Sequence, residues 1–596
     1  MKSKKWLISL GLAVVLVLVF ALPACETTAK RELATRFNIG VTALPNNLYM
    51  DQEDLTATNV GCLYLMLVYE NLAGYPKVDE DLADAYGFVP KLATSVNVTD
   101  EPDGTGGENQ VWTIDLREGV KWHDGEDFTA DDVVYSLKYV ISPWNWNKPI
   151  NWTAVEANEW EILPEHILVT NTTEHQVQIR FIDGYHQPTN YFPIDYMWYG
   201  MVPEHVFGPD GEGEYAGWME DPLDWDGEWV GTGPYKVKEY VVDSHLLLER
   251  NEDYWAKGDE GDPYWELPAA KEVLFKLFED EGAFWMAFMS DKPGSLMDSC
   301  SGLSVPFEAK ADLEADERIT VEVVADLSIY YLGFNLHPDE GYAPLADLPL
   351  REAIAAAIDK QGIVDMVFGG YGEPADSFVY LESPNHNPSL PNNTYNNVTA
   401  ASILTAANYT KESDGWYTPA PDPVKISFAI GASPSYSDEA WMIIEDLNDF
   451  GLDVSLQALD SSTYYDYLYR PDLGGMQAFI SAEDPSPDPW GDWIWCMLAD
   501  PEDWGWQWNP CWFVNWEYND LYQDNYLATD PAAKKVILLR MQEILAEEVP
   551  MVFLVREDAI TASRTDRWDN WFNEIGGYVT WINEYSIREV TPVPVG

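Results

Sequence analysis

The segment from Trp490 to Trp516 contains eight of the 27 tryptophans of the chain. It reads WGDWIWCMLADPEDWGWQWNPCWFVNW, and glycine and proline interrupt it, so one regular helix or strand over its whole length is not expected. Indole rings on an irregular segment can stack on a flat, apolar or sugar-like ligand. We expect some of these rings in the core and the others at a binding surface.

A cysteine lies near each end of the tryptophan segment, Cys496 and Cys511. In an oxidising exterior they could form a disulfide that closes a loop carrying Trp504, Trp506 and Trp508. Buried free thiols are the alternative. A metal site is not expected, because no CxxC or HxxxH spacing occurs and the eight histidines are scattered.

The charge balance excludes one class of function. The chain has 34 Lys+Arg against 101 Asp+Glu, a net charge of -67, so phosphate would be repelled and nucleic-acid binding is not expected. The acidic balance indicates a hydrated surface in a salty or harsh exterior, and it also favours cationic or neutral ligands. With 596 residues, 46% of them apolar, the chain is expected to form roughly two to four domains with sizeable cores.

The N-terminus has the pattern of an export signal. Three lysines among the first five residues precede an apolar stretch from Leu7 to Phe20, which is followed by LPAC. A small residue before a cysteine resembles a lipobox, in which cleavage leaves Cys25 as the lipid-bearing first residue. We predict a lipoprotein-type signal peptide over residues 1–24 and a tether over 25–35, with an uncleaved anchor helix as the alternative. Both place the protein outside the cytoplasm, attached to the outer face of the cell membrane.

Hydrophobic periodicity predicts strands and helices that alternate along most of the chain, which indicates α/β architecture. Residues 111–116 alternate apolar and polar, as in a half-buried strand. Thr129 with Asp132 three residues later predicts the start of a helix. A second helix is predicted from Pro349 through the run ending at residue 368, and its Arg351 is expected to pair with an acid near the surface.

Seven segments, taken together, resemble the extracytoplasmic solute-binding proteins of the peptide/nickel family of ABC transporters. They are VWTIDLREGVKWHDGEDFTADDVVYSLKYV at 111–140, VPEHVF at 202–207, GTGPYKV at 231–237, LERNEDYW at 248–255, YYLGFNL with LREAIAAAIDKQGIV within 330–364, LDVSLQALD at 452–460, and the segment 531–554 that ends in EEVPMVFL. They occur in the order of the family and cover almost the whole mature chain.

The resemblance implies an α/β, bilobed periplasmic-binding-protein type II fold with an extra subdomain on the first lobe. The first lobe is predicted to combine residues 36–75, 230–326 and 556–590, the extra subdomain residues 76–229, and the second lobe residues 327–555. Two or three crossover strands would form a hinge, and the lobes would close over the ligand.

The resemblance also implies where a ligand would bind. An acid in a loop after a strand of the second lobe would hold an ammonium group of the ligand, with Asp488 as first candidate and Asp484 as second; turn formation is the alternative role. The other candidate ligand-binding residues are Trp490, Trp493, Trp508 and Trp512 on the tryptophan segment, Asn46, Asn47 and Tyr49 after the first strand, and Tyr330 and Tyr331 near the hinge.

We therefore expect a monomeric, membrane-anchored solute-binding component of an ABC importer that captures oligopeptides and delivers them to permease subunits. No cofactor, metal or catalytic residue is expected. An oligosaccharide-binding member of the same family is the first alternative, since indole rings also stack on sugars. An exported polysaccharide-acting enzyme with paired carboxylates and a binder without a permease are alternatives from other classes.

Overall fold

The computed structural model describes residues 35–45, 59–74, 89–103, 107–141, 167–182, 200–207, 229–256, 267–290, 296–301, 303–339, 341–379, 381, 383, 385–391, 394–469, 475–483, 509–528, 531–572 and 585–593. Strands and helices alternate along these ranges. The helices that fall within them include none with the length and apolar character needed to cross a membrane.

The strands within these ranges are numbered in chain order. They are β1 Arg36–Val41, β2 Ala73–Gly74, β3 Val89–Pro90, β4 Ala93–Pro102, β5 Glu108–Leu116, β6 Ile167–Thr173, β7 Gln176–Phe181, β8 Tyr235–Val241, β9 His245–Arg250, β10 Glu272–Leu277, β11 Ser299–Ser301, β12 Ile319–Phe334, β13 Gly372–Pro374, β14 Thr410–Glu412, β15 Gly415–Tyr417, β16 Ser427–Ala432, β17 Asp453–Ala458, β18 Ala478–Glu483, β19 Met551–Arg564, β20 Trp568–Asp569 and β21 Thr591–Pro592.

The α-helices of the same ranges follow in chain order. They are α1 Asn59–Leu67, α2 Ala130–Ile141, α3 Glu204–Phe207, α4 Glu281–Phe288, α5 Lys310–Glu314, α6 Leu348–Ala356, α7 Lys360–Met366, α8 Asn397–Ala406, α9 Ser437–Phe450, α10 Ser461–Tyr469, α11 Trp516–Leu527, α12 Pro531–Glu548 and α13 Tyr585–Glu589.

A five-stranded sheet has the order β11-β1-β10-β9-β8. Strand β1 runs parallel to both β10 and β11, whereas β9 and β8 continue the sheet antiparallel. Phe37 and Ile39 of β1 are fully buried and pack with Leu248 and Phe275 of β9 and β10. The sheet therefore has a core of its own, built from segments that lie far apart in the chain.

A four-stranded antiparallel sheet, in the order β4-β5-β7-β6, forms a second unit with α2 packed against it. Helix α2 begins at Ala130, and the backbone N–H of Thr129 donates to Asp132 Oδ2 at 2.9 Å. The capping interaction predicted from these two residues is thus confirmed. Trp112 and Trp122 are almost completely buried in the core of this unit.

The turn at His123 joins this unit to the five-stranded sheet. The N–H of Gly231 donates to His123 Nδ1 at 3.2 Å, and His123 Nε2 lies 3.0 Å from the carbonyl oxygen of Gly233. Burial lowers the pKa of His123 to about 4, so the imidazole is neutral, as this pair of contacts requires. Close approach explains the glycine at 231, because a Cβ there would lie 1.8 Å from the carbonyl oxygen of Val68.

The largest sheet has six strands in the order β13-β19-β12-β18-β16-β17. Side chains of β12 alternate between its two faces, with Leu332 and Phe334 in one core and Ile329 and Tyr331 in the other. Helices α6, α7, α8 and α9 contribute to the first core, and α10, α11 and α12 to the second. The sheet is therefore covered on both faces.

Two long strands, β12 and β19, connect the five-stranded and six-stranded regions. The first half of β12 pairs with the last half of β19, where Ile319, Ile560 and Ala562 pack against Phe284 of α4. The other halves of both strands lie in the six-stranded sheet. The pairing register shifts between Ala325 and Ile329, so the irregular point of the ladder lies between the two regions.

The helix predicted from Pro349 to residue 368 is two helices, α6 and α7. The Asp359 side chain caps α7 by accepting from the N–H of Gly362 at 3.0 Å. The prediction for Arg351 was also wrong. This residue is 4% exposed, and its guanidinium donates to the carbonyl oxygens of Leu345, Glu548 and Val549.

Candidate functional site

Most of the predicted ligand-binding residues lie outside the described residues, and their roles stay predictions. They are Asn46, Asn47, Tyr49, Asp484, Asp488, Trp490, Trp493 and Trp508. The predicted lipid attachment residue, Cys25, also lies outside the described residues.

Strand β18 ends at Glu483, directly before Asp484 in the chain and five residues before Asp488. It runs antiparallel to β12, with Glu483 opposite Ile329 and Ala482 opposite Tyr330. The last residue of β18 therefore lies beside the register shift of β12. The predicted ligand loop begins at the edge of the six-stranded sheet that faces the five-stranded region.

Other chain segments end at the same edge. Strands β16 and β17 run parallel to β18, so their carboxyl ends also lie there. Residues 433–436 follow β16, and Asp460 follows β17. Strands β12 and β19 pass through this edge on their way to the other region. Carboxyl ends of adjacent strands are the usual position of ligand sites in α/β sheets, and we call this the crossover edge.

Tyr330 contributes an aromatic cluster to the crossover edge. Its ring lies 5.1 Å from the ring of Phe368 and 6.2 Å from that of Tyr436, both edge to face. Its hydroxyl donates to Glu557 Oε2 at 2.7 Å. Burial and the Glu557 carboxylate raise the pKa of Tyr330, so the phenol keeps its proton and remains a donor.

Tyr331 points to the opposite face of the sheet. It is 1% exposed, and its ring packs edge to face on Phe378 and Phe479. Its hydroxyl donates to Glu483 Oε1 at 3.3 Å. Tyr331 therefore contacts the site through its hydroxyl and orients the acid that ends β18.

Glu439 is a third acid of this edge, in the first turn of α9. It is 4% exposed, and burial raises its pKa to about 7. Its charge is one of the influences that raise the pKa of Tyr330. Glu439 and Glu557 thus lie near Tyr330 on one face of the sheet at the crossover edge, and Glu483 lies beside Tyr331 on the other face.

Arg556 of β19 also lies at this edge, and acids are among its partners. It donates twice to Glu373 Oε1, at 2.7 and 2.9 Å, and its Nη1 lies 3.9 Å from Asp558 Oδ1. The acids named at this edge outnumber this guanidinium. Such an arrangement favours a ligand that carries a positive charge, because ammonium–carboxylate hydrogen bonds are stronger than neutral ones.

Trp512 lies away from the crossover edge. It is 2% exposed, and its ring is 5.1 Å from that of His337, beyond the opposite end of β12. The adjacent Cys511 accepts a backbone hydrogen bond from Leu336. Cys511 is buried, and its predicted partner Cys496 lies outside the described residues, so the bridge stays a prediction.

Sequence reasoning missed Glu439, Glu483 and Glu557. A signal for Glu483 was present, since it directly precedes Asp484 at the end of an apolar strand. Nothing comparable distinguishes the other two acids among 101 acidic residues. Among the described residues, no cluster of three or more His, Cys, Asp or Glu side chains is arranged to hold a metal ion.

Comparisons with known proteins agree with this architecture. The model of the bacterial extracellular solute-binding proteins, family 5, matches residues 87–497. The chain is 24% identical over 490 residues to the oligopeptide-binding protein AppA of Bacillus subtilis, covering 79% of each chain. It is 24% identical over 463 residues to the nickel-binding periplasmic protein of Escherichia coli, covering 75% of this chain and 76% of that protein.

The fold is similar to that of a solved structure as well. The structure of AppA from Bacillus subtilis in complex with a nonapeptide superposes with a TM-score of 0.66 at 20% sequence identity. The match covers 94% of this chain and 100% of the other. The bilobed α/β fold is therefore shown.

Proposed function

Because the chain belongs to the bacterial extracellular solute-binding proteins of family 5, we propose that it captures oligopeptides between two lobes and passes them unchanged to an ABC permease. A relative with a similar extent is named an oligopeptide-binding protein, and a similar solved structure holds a nonapeptide. Other relatives are named for nickel or glutathione, so the ligand class has to be argued from the site itself.

The observation that carries the peptide proposal is that acids lie beside tyrosines on both faces of the sheet at the crossover edge: Glu557 and Glu439 near Tyr330, and Glu483 beside Tyr331. A peptide with a free N-terminus offers an ammonium group for one of these acids. We assign this contact to Glu483, because its carboxylate is oriented by Tyr331 and precedes the loop of Asp484 and Asp488. Trp490, Trp493 and Trp508 of the tryptophan segment would contact apolar side chains without demanding one sequence.

Lobe closure would take place at β12 and β19. These strands join the two regions, and their ladder is irregular between Ala325 and Ile329. We propose that the boundaries between the lobes lie at 326/327 in β12 and at 555/556 in β19, beside this irregular part of the ladder. We also propose the signal peptide over residues 1–24, the lipid on Cys25, the monomeric state and the attachment to the outer face of the membrane.

Calorimetric titration of the purified chain tests the ligand class. Oligopeptides recovered from the protein by native mass spectrometry would be titrated with a free and with an acetylated N-terminus. We expect the free form to bind at least about tenfold more tightly, since losing one partner of a buried charged pair costs roughly 2–5 kcal/mol. Neutral oligosaccharides serve as the competing ligand, and their binding in the absence of any peptide binding would contradict the proposal.

Glu483→Gln is the matching variant. It keeps the shape of the side chain and removes the charge, so peptides with a free N-terminus should lose affinity while acetylated peptides change little. Glu412→Gln is the control, because Glu412 lies on the exposed strand β14. Equal losses for free and acetylated peptides in Glu483→Gln would remove the ammonium role from this acid.

A further inference from the structure

A groove lies between the two regions, on the face of the six-stranded sheet opposite Tyr331. It has a volume of about 730 Å³ and is walled by α7 and α9 on one side and by Phe307 and Glu308 on the other. Helices α7 and α9 pack on the core that contains Leu332 and Phe334, whereas Tyr331 and its partner Glu483 belong to the other face. The groove is thus separate from the acid assigned to the peptide.

The two walls come from different lobes of the molecule. Phe307 and Glu308 follow Val305, whose N–H donates to the carbonyl oxygen of Ile560 at 2.7 Å in the part of β19 that packs on α4. Across the groove, Phe307 touches the chain after α7, since a Cβ on Gly369 would lie 2.4 Å from its ring. A change in the angle between the lobes would therefore change the width of the groove.

Apolar side chains of the groove are unusually exposed. Trp441 on α9 is 55% exposed, Met366 at the end of α7 is 73% exposed, and Phe307 is 38% exposed. Large apolar side chains clustered at one surface point to a partner or ligand rather than to the fold. An indole face, a thioether and a phenyl ring provide van der Waals contact to an apolar body.

The charged side chains of the groove are all acidic. Glu308, Asp438, Glu445 and Asp449 line it, and no lysine or arginine does so among the described residues. Asp438, Trp441 and Glu445 lie three and four residues apart on α9 and so share one helix face. A cation placed over the Trp441 ring would meet carboxylates on both sides, and indole is the strongest cation–π partner among the side chains.

From this combination, we propose that the groove is a second binding site, for a small organic amine with an apolar body. The volume lies within the range of roughly 300–1,000 Å³ that is typical of small-molecule sites. The ammonium group would lie between Asp438 and Glu445 over the Trp441 ring, and the apolar body would extend toward Met366 and Phe307. Such a ligand bridges both walls, so its binding depends on the angle between the lobes.

The test uses three probes with the same body, which are 4-phenylbutylamine, 4-phenylbutanol and 4-phenylbutyrate. Calorimetry on the full chain should detect the amine, with at least about tenfold weaker binding of the alcohol and no binding of the carboxylate. Trp441→Ala should weaken the amine about tenfold or more, and the double variant Asp438→Asn with Glu445→Gln should do the same. Trp516→Ala is the control, since Trp516 is 61% exposed on α11 outside the groove.

The replaced side chains line an open groove, so the variants should keep the native circular dichroism spectrum. Equal amine binding by Trp441→Ala and Trp516→Ala, or equal binding of the three probes, overturns the proposal. Loss of the amine in Glu483→Gln but not in Trp441→Ala also overturns it, because the amine would then occupy the peptide site. If a basic 12-residue peptide bound at Trp441 more tightly than 4-phenylbutylamine, the proposed amine ligand would be wrong and a protein partner would take its place. Retained amine binding in Glu483→Gln together with failed peptide binding would leave this site standing without the transport proposal.

Discussion

Buried polar groups at the two ends of the six-stranded sheet find their hydrogen-bond partners in different ways. At the end far from the crossover, Arg351 donates to the carbonyl oxygens of Leu345, Glu548 and Val549, and each of these contacts joins a side chain to the backbone. At the crossover edge, carboxylates meet tyrosine hydroxyls, as Glu557 does with Tyr330. The first arrangement uses its charge to hold the chain, whereas the second keeps carboxylate charge close to the space between the lobes.

The contrast separates an end built for stability from an end built for binding. A guanidinium with three carbonyl partners contributes mainly to the free energy of folding, because its donors are used within the protein. A carboxylate has several lone pairs, so one that accepts from a tyrosine hydroxyl can also accept from a ligand. Removing groups at the far end should therefore change the free energy of unfolding, and removing groups at the crossover edge should change binding and pH dependence.

The largest change we expect is the loss of stability in Arg351→Ala. Three buried carbonyl oxygens lose their partner, so we expect the free energy of unfolding to fall by about 3–5 kcal/mol in urea titration. Arg540→Ala is the control, because the Arg540 ion pairs with Glu517 and Glu547 lie on the surface and should matter far less. Comparable losses in both variants would contradict the distinction between the two ends.

The next effect concerns Glu439, whose pKa in the folded protein is about 7 against an ordinary value of 4.5. A raised pKa means that the folded state holds its proton more tightly than the unfolded state. The stability contributed by protonated Glu439 is complete below pH 4.5 and is lost as the pH rises through about 7. Glu439→Gln should remove this loss, which we place at roughly 3 kcal/mol, and flatten this part of the stability profile. Urea titrations over this pH range measure the profile, and an unchanged profile in the variant would contradict burial as the cause.

A smaller effect is expected from Tyr331→Phe, which removes the hydroxyl that orients Glu483. The lost hydrogen bond should lower the free energy of unfolding by about 1 kcal/mol. Affinity for peptides with a free N-terminus should fall several-fold in calorimetry, and that for acetylated peptides should not. Tyr464→Phe is the matched control, because its hydroxyl also donates in the same core but to the backbone carbonyl of Ile480. Equal changes in binding for both variants would make Tyr331 a purely structural residue.

The smallest signal should come from the reactivity of Cys511, at the far end of the sheet. Burial raises the pKa of this thiol to about 12, so iodoacetamide at about pH 8 should leave it unmodified in the folded protein. The protein is then unfolded without reductant and treated with iodoacetamide again, and mass spectrometry shows whether Cys511 has been labelled in this second step. Labelled Cys511 would mean a free thiol, and unlabelled Cys511 that becomes labelled only after reduction would mean the bridge to Cys496.

How much of the structure could be predicted from the sequence depended on how far apart in the chain the interacting residues lie. Period-two alternation placed residues 111–116 in β5, and the Thr129–Asp132 spacing placed the start of α2, because both signals lie within a few residues. The helix expected from Pro349 divided into α6 and α7, since Asp359 forms a new cap in the middle of an apolar pattern. Local patterns therefore identified elements better than their boundaries.

The residues of the candidate site were harder to identify from sequence. Tyr330 was expected near the crossing and lies there, but adjacent Tyr331 faces the other core, as alternation along a strand requires. Trp512 was expected at the ligand and lies beside His337, because the chain returns to the far end of β12 at that point. Which tyrosine meets which acid depended on strand register, and register is not visible in composition.

The resemblance of seven segments to a known family implied a bilobed binder. Composition and local pattern were sufficient for the α/β class and for the acidic character that excludes nucleic acid. These properties follow from the residue types and from contacts between near neighbours in the chain. The folded arrangement was needed to establish that Tyr330 meets Glu557 across 227 residues and that Tyr331 meets Glu483 across 152. The physical reason is that burial and strand register, set by packing of the whole sheet, select these few acids from many similar ones.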